Sequence, residues 1–232
     1  TNTTASDNVA VGYMSLHANT TGTENVAVGN EALLTNTTAD GNTAIGHNSM
    51  LVNTVGFNLT AVGNRTLEAN TDGDYNTAIG AQALRANTTG VSNTALGDSA
   101  LKANTTGARN IAIGPNAYDA SDTENDNIAI GFDAMTTNTA GGQYNIGIGN
   151  YSLDALTSGD NSVGVGYNAL TALSTGGSSV AVGKNALSSM TTQSDNVGVG
   201  MHALQANVTS ATTAIGSYSL YKNTTGAANT GV

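Results

Sequence analysis

A glycine recurs along this chain at an almost constant spacing, and this period limits the fold more than any other feature. Successive glycines lie 17 residues apart, except for one interval of 18 and one of 16. A unit of this length cannot bury its own apolar face, so the units must stack on one another as in a solenoid. The thirteen glycines are Gly12, Gly29, Gly46, Gly63, Gly80, Gly97, Gly114, Gly131, Gly149, Gly166, Gly183, Gly200 and Gly216.

Each unit has the same internal pattern. With the glycine as position five, the consensus is N-[TVI]-A-[IV]-G-x-x-[AS]-L-x-A-N-T-T-G-x-x, as in the segment 76–92. An alternation of period two that ends in glycine is typical of a short strand, and the apolar pair around position nine predicts a second strand. A unit should therefore contain a strand, a glycine corner, a second strand and an Asn-Thr-Thr-Gly turn.

The repeat predicts an all-β fold, a parallel β-solenoid (β-roll) of thirteen coils of about 17 residues. A helical repeat is excluded because glycine interrupts every stretch that is long enough for a helix. Coils that are 4.8 Å apart would form a rod roughly 60 Å long. We expect residues 1–232 to be one continuous repeat array. The array begins and ends within a repeat, as expected of an excerpt from a longer one.

Position two supports direct stacking of neighbouring coils. Its residues change in blocks along the chain: two Val, four Thr, three Ile, three Val and one Thr. Side chains in contact one coil apart have a reason to match in this way, whereas a flexible linker has none. The residues are Val9, Val26, Thr43, Thr60, Thr77, Thr94, Ile111, Ile128, Ile146, Val163, Val180, Val197 and Thr213.

The alternation also predicts which side chains face the interior. If the Ile or Val at position four points inward, then position two does so too. Position nine should fill the opposite wall, together with a small residue at position eleven such as Ala18, Ala86 or Ala103. Position three, always Ala or Gly, would then point outward, either at a tight corner or against another chain. We therefore expect a homo-oligomer that associates through the Ala/Gly face.

Two columns of asparagine accompany the strands, at positions one and twelve. Stacked amides can hydrogen-bond to one another along the axis and to the turn backbone, so we predict two ladders. Although Asn-Thr-Thr is also a glycosylation sequon, a ladder already explains its spacing. Leu156, Leu173 and Met190 replace the second column in three consecutive coils, where we expect different packing, with a wider core and a closer neighbour.

Composition agrees with a solenoid. Leu, Ile, Val and Phe make up 43 of 232 residues, about 19%, and the net charge is −10, which together would suggest disorder. Only 9% of residues are charged, however, and Thr, Asn and Gly dominate instead. A solenoid needs only three or four apolar residues per coil, so the low apolar content fits turns and ladders between strands.

Composition and charge also exclude or disfavour several classes of protein. The chain has no Cys, and hence no disulfide or thiolate zinc site. No apolar run reaches the 18 or so residues of a membrane span, and the N-terminus lacks the pattern of a signal peptide. An acidic chain with six scattered Lys and Arg residues should be repelled by nucleic acid and by anionic membranes.

Nothing in the pattern predicts catalysis. His17, His47 and His202 fall at different coil positions and should be ordinary turn residues. The glycines lack the lysine of a phosphate-binding loop. The densest acidic cluster could hold Ca²⁺ through oxygen ligands, but its spacing matches no calcium motif, so a solvated turn is preferred. We expect no enzyme, cofactor or metal site. The cluster comprises Asp119, Asp122, Glu124, Asp126 and Asp133.

The strand motif itself resembles a known family. Ala-Val-Gly or Ala-Ile-Gly followed by x-x-Ser, as in segments 9–15 and 42–49, is similar to the head repeats of trimeric autotransporter adhesins. The longer form with Asn-Thr-Thr-Gly resembles repeats of phage tail fibres and bacterial surface proteins. The resemblance covers essentially the whole chain and implies an extracellular homotrimer of left-handed β-rolls. Those heads have shorter coils, so the extra turn is a departure from the family pattern.

Two functions follow as expectations. The first is a structural and adhesive fibre segment, the shaft or recognition region of a phage tail fibre or of a bacterial surface adhesin or filament, with a host-surface or glycan receptor. The second is an ice-binding β-solenoid, which needs a flat, exposed column of Thr. Position two carries Thr but is expected to be interior, so ice binding is the less favoured alternative.

Overall fold

Short parallel strands joined by turns make up the computed structural model, which describes residues 4–138 and 141–232. Each strand covers positions two to four of a repeat, where β-branched residues flank a small one. Within the described residues no helix occurs, and hence none is long and apolar enough to span a membrane. The strands are β1 Val9–Val11, β2 Val26–Val28, β3 Thr43–Ile45, β4 Thr60–Val62, β5 Thr77–Ile79, β6 Thr94–Leu96, β7 Ile111–Ile113, β8 Ile128–Ile130, β9 Ile146–Ile148, β10 Val163–Val165, β11 Val180–Val182, β12 Val197–Val199, β13 Thr213–Ile215 and β14 Thr230–Gly231.

The chain divides into two compact units, Thr1–Pro115 and Asn116–Val232. In the first unit β1 to β7 pair in chain order, all parallel, and in the second unit β8 to β14 do the same. Equivalent positions pair directly, so that Thr77 lies beside Thr94 and Ile79 beside Leu96. Counted over both units there are about thirteen turns, which confirms the parallel β-solenoid predicted from the repeat.

The predicted orientation of the strands is wrong. Ala78 at position three is completely buried, whereas its neighbour Ile79 at position four is 39% exposed and Thr77 at position two is half-buried. From β2 to β13 the middle residue of every strand is buried and its two neighbours are not. The small residues therefore face the interior and the β-branched residues face outward.

The space left by position nine explains this reversal. The leucine of that position fills the interior opposite the strand, and Leu84 and Leu187 are fully buried. A Cβ added to Gly198 at position three would lie 3.1 Å from Cγ of Leu187, and one added to Gly147 would lie 3.0 Å from Cγ of Met135. A residue larger than Ala does not fit there, so the larger strand residues must point outward.

Within residues 4–138 and 141–232 the predicted second strand does not form. Positions seven and nine adopt left-handed backbone conformations, as in Gln82 at φ 60° and Leu84 at φ 49°. Such conformations are incompatible with a strand. The segment is still stacked on its neighbour, because the Leu84 amide donates to the Ala100 carbonyl at 3.0 Å. Position eleven is also corrected: Ala86 is half-buried rather than interior, as are Ala18 and Ala103.

The repeated glycine is required by its backbone and by its neighbours. Gly80 has φ 136°, a conformation that residues with a Cβ rarely adopt, and an added Cβ would overlap the carbonyl oxygen of Gly97 in the next coil. Successive coils thus lie close together at this corner. Residues such as Ala are excluded there by conformation and by contact.

Candidate functional site

The outward residues of positions two and four form a continuous surface on each unit, which we call the strand face. In the first unit its position-four residues include Ile79 and Leu96, 39% and 45% exposed. In the second unit they include Val182 and Ile215, 37% and 49% exposed. Each strand face is the outer surface of a parallel sheet and bears a column of exposed apolar side chains at position four. Contiguous apolar surface of this kind marks interaction sites.

One column of the first strand face is threonine. Thr43, Thr60, Thr77 and Thr94 pair directly in successive parallel strands. All four are half-buried and belong to the outward set. The expectation that these residues lie inside the coil is wrong. Because the interior has room only for the small residue of position three, the residues of position two face outward in every coil. The chain thus presents four stacked threonines beside a column of Ile, Val and Leu.

The interior contains the predicted asparagine ladders. In the first unit the position-twelve asparagines form an unbroken series from Asn19 to Asn104. Nδ2 of Asn87 donates to Oδ1 of Asn70 at 2.8 Å and to the carbonyl of Gly90 at 3.0 Å. At most 1% of each side chain in this series is exposed. Their sequons are therefore closed to glycosylation in the folded chain, because the acceptor nitrogen is buried and hydrogen-bonded.

The ladder of position one uses the amides differently. Oδ1 of Asn25 accepts from the backbone amide of Asn42 in the next coil at 3.0 Å. Nδ2 of Asn25 donates to the carbonyl of Ala39 at 2.8 Å. Each side chain therefore satisfies backbone groups that the turns would otherwise leave unpaired in the interior.

The second ladder is interrupted in the second unit. Leu156, Leu173 and Met190 are completely buried, as the expected change of packing requires, while the wider core stays a prediction. Asn138 precedes them in the column, and its buried Oδ1 has no hydrogen-bond partner. The reason is that Leu156, in the place of the next asparagine, offers no donor. The expected closer neighbour concerns a second chain and stays a prediction.

The acidic turn uses its buried carboxylate for structure. Glu124 is 2% exposed and accepts from the Ser121 hydroxyl at 3.1 Å, the Asp122 amide at 2.8 Å and the Gly141 amide at 3.1 Å. This carboxylate holds the turn in a coil whose position twelve is Ser121 instead of Asn. Among the described residues no three acidic or histidine side chains are grouped closely enough to hold a metal ion.

The neighbouring Tyr118 takes the place of leucine at position nine and is fully buried. Its hydroxyl accepts from Nδ2 of Asn127 at 2.6 Å and from Nδ2 of Asn138 at 2.9 Å. Burial raises the pKa of Tyr118, and the charge of Glu124 raises it further, against the lowering effect of the hydrogen bonds. The phenol therefore stays neutral and acts as a structural acceptor.

A group of aromatic side chains along one corner of the second unit was not predicted from the sequence. We call it the aromatic corner and define it by Phe132, Tyr151, Tyr167, Lys184, His202, Tyr218 and Tyr221. All except Tyr221, at position ten, occupy positions six and seven. Because the aromatic residues alternate between two positions, no single column of the repeat shows them. Their clustering at adjacent positions in successive repeats is the signal that could have found them.

The rings of this corner contact one another from coil to coil. Phe132 and Tyr151 meet edge to face with ring centroids 5.5 Å apart, and Tyr151 and Tyr167 do so at 5.9 Å. The Nζ of Lys184 lies 5.9 Å from the Tyr167 ring centroid. The His202 ring stacks on the Tyr218 ring, with centroids 4.9 Å apart.

The three histidines occupy turns, as expected. His17 and His47 are exposed, and His202 is half-buried in the aromatic corner. Nδ1 of His47 is 3.2 Å from Nδ2 of Asn64, and Nδ1 of His202 is 2.5 Å from Oε1 of Gln205. These partners are side-chain amides, which orient an imidazole without activating it as a general base.

Comparison with protein-family models, with curated proteins and with solved structures found nothing that matches this chain. The functional argument therefore depends on the geometry described above. Two surfaces carry it: the strand face, with its apolar columns and its run of threonines, and the aromatic corner of the second unit.

Proposed function

We propose that this chain is a segment of an extracellular structural and adhesive fibre, the shaft or recognition region of a phage tail fibre or of a bacterial surface adhesin or filament. The observation that carries the proposal is the strand face. Exposed apolar columns along a β-solenoid are suited to association with further copies of the same chain. The resemblance of the strand motif to trimeric adhesin heads favours three copies.

The strand face replaces the Ala/Gly face in this proposal. Position three is buried inside its own coil, so it cannot contact another chain. Positions two and four instead present side chains such as Ile79 and Leu96, which lose solvent contact when three copies pack around a common axis. Burying these apolar groups would stabilise the assembly by about 25 cal/mol for each Å² removed from water.

Light scattering on the purified chain tests this proposal. The expected mass is about 69 kDa, three times the chain mass of 23.1 kDa. Placing lysine on the strand face, as in Leu96→Lys together with Ile79→Lys, should reduce the mass to that of one chain. Thr89→Lys, in an exposed turn of the same unit, should leave it unchanged. A wild-type chain that stays monomeric at high concentration would exclude this assembly.

Ice binding is the second candidate, and the outward threonine column favours it. Thr43, Thr60, Thr77 and Thr94 form a regular, half-buried row on the outer side of the sheet, spaced by the strand separation of about 4.8 Å. The row is limited to four coils and lies beside apolar residues. A thermal-hysteresis assay separates the candidates, because a fibre segment gives no hysteresis. Hysteresis that is lost in Thr60→Lys with Thr77→Lys would favour ice binding instead.

A further inference from the structure

The aromatic corner has a composition unlike the rest of the surface. The chain has eight Tyr and two Phe, and five of these ten residues lie in this corner. Tyr167 and Tyr218 are 47% and 52% exposed, and Phe132 is 38% exposed. These rings are not needed to fill the core, since a buried leucine or methionine occupies position nine of most of these coils, such as Met135 and Leu170.

The backbone holds these rings in a single file. The amide of Tyr151 donates to the carbonyl of Phe132 at 3.0 Å, and that of His202 donates to the carbonyl of Lys184 at 2.9 Å. Such bonds link position seven of one coil to position six of the coil before it. The side chains therefore follow one another along a narrow line, with a step of about 4.8 Å per coil.

We propose that the aromatic corner binds a neutral glycan chain, which makes it the receptor-recognition site of the fibre proposed above. A sugar ring has an apolar C–H face and a polar hydroxyl edge. Tyr167 and Tyr218 offer the matching combination of an exposed ring and a hydroxyl. Asn168 and Asn185 occupy position seven of the coils that contain Tyr167 and Lys184, and side-chain amides can donate to and accept from sugar hydroxyls.

Charge and shape select this ligand over others. The net charge of −10 opposes anionic glycans and nucleic acid at any distance within the screening length. The Nζ of Lys184, a basic group of the second unit, lies 5.9 Å from the Tyr167 ring centroid. A line one or two side chains wide suits a linear chain of rings better than the broad face of a protein, which needs about 800 Å² on each partner.

The experiment uses the full chain on an array of neutral, sialylated and sulfated glycans, followed by calorimetry with the strongest neutral ligand. Tyrosine fluorescence provides a second readout, because the chain has no Trp. We expect Tyr167→Ala and Tyr218→Ala each to weaken binding about tenfold, the loss of one ring contact. Tyr144→Ala is the matched control, since Tyr144 is 57% exposed in the same unit and lies outside the corner.

Three results would overturn the proposal. These are the absence of binding to any neutral glycan, binding confined to anionic glycans or to a protein ligand, and equal weakening by Tyr144→Ala and Tyr167→Ala. Thermal unfolding of each variant separates lost binding from lost folding. The two proposals fail separately. A chain that forms 69 kDa trimers but binds no glycan would refute only glycan binding, and a monomer that binds a glycan would refute only the assembly.

Discussion

Nδ2 of Asn87 donates a hydrogen bond to Oδ1 of Asn70, 2.8 Å away, and this contact repeats between successive coils of the first unit. Each amide in the series also bonds the backbone of its own turn, as Asn87 does at Gly90. One side chain therefore sets both the shape of a turn and its register against the next coil. A solenoid with little apolar surface depends on such contacts for its regularity.

The substitution Asn70→Ala tests the ladder. It removes the hydrogen bonds of Asn70 to Asn53 and Gly73 and leaves Nδ2 of Asn87 with one partner fewer. Because these groups are buried, we expect a loss of about 2 to 4 kcal/mol in the free energy of unfolding, measured by urea titration. Thr89→Ala in the exposed part of a turn is the control and should change it by less than about 0.5 kcal/mol. Equal effects would refute a stabilising ladder.

The break in the ladder gives a second, paired prediction. Leu156→Asn places a donor beside the unpartnered Oδ1 of Asn138, whereas Leu173→Asn places one between Leu156 and Met190. Both variants lose buried apolar area, but only the first gains a partner. We expect Leu156→Asn to be more stable than Leu173→Asn by about 1 kcal/mol, the net value of one hydrogen bond. The opposite order in urea titrations would contradict the assigned cause of the orphan oxygen.

The glycine corner predicts a difference between two chemically identical changes. In Gly80→Ala the new methyl group overlaps the Gly97 carbonyl oxygen, while in Gly216→Ala its nearest described neighbour is Cβ of Ser219 at 3.9 Å. The backbone strain is common to both, since φ is 136° and 124°. Gly80→Ala should therefore be the more destabilising, by at least about 2 kcal/mol. Circular dichroism during thermal unfolding measures both, and similar losses would disprove the overlap.

An ion-pair network in the first unit predicts a dependence on pH. Burial alone would raise the pKa of Glu68, but hydrogen bonds and charges from Arg65 and Arg85, each with Nε 2.9 Å from the carboxylate, lower it below its ordinary value of 4.5. A lowered folded-state pKa contributes stability above the unfolded-state pKa. That contribution is lost as the pH falls through the folded-state value.

Glu68→Gln isolates this contribution. At neutral pH the variant should be less stable than the wild type by about 1 kcal/mol, since the two arginines are partly exposed to solvent. The difference should shrink as the pH falls through the lowered folded-state pKa, because the wild-type carboxyl is then protonated as well. Urea titrations at neutral and at acidic pH measure it. A difference that persists in acid would show that the two arginines do not stabilise the charged form.

The period and the ladders could be predicted from the sequence, but the orientation of the strand could not. The alternation of Thr77, Ala78 and Ile79 shows that Ala78 faces the opposite way from its two neighbours, but not which side is interior. The larger apolar side chain of Ile79 favoured an inward Ile79, whereas Ala78 is the buried residue. The choice is made by volume, because the buried side chain of position nine leaves little room at position three, as Leu187 does beside Gly198. This steric constraint acts between positions three and nine of the repeat, so the sequence of the strand alone does not reveal it.

The left-handed turns and the aromatic corner could not be predicted from the sequence, for different reasons. Leu84 adopts a left-handed conformation that leucine does not favour by itself, so its place in an apolar pair suggested a strand. Tyr151 and Tyr167 occupy different repeat positions, and only the stacking of coils brings their rings together. At Leu84 the packing of the coil overrules the local backbone preference of leucine. For Tyr151 and Tyr167 the register between neighbouring coils has to be known.

The central claim is that the strand face points outward while the small residues fill the coil, and thiol labelling measures this directly. The chain has no Cys, so Ala78→Cys and Ile79→Cys can each be prepared as single thiols. Both are best made with Leu96→Lys, which weakens the proposed self-association. We predict that the thiol at position 79 reacts rapidly with a maleimide and that the one at 78 reacts only after unfolding. Rapid labelling at 78 with protection at 79 would contradict the account.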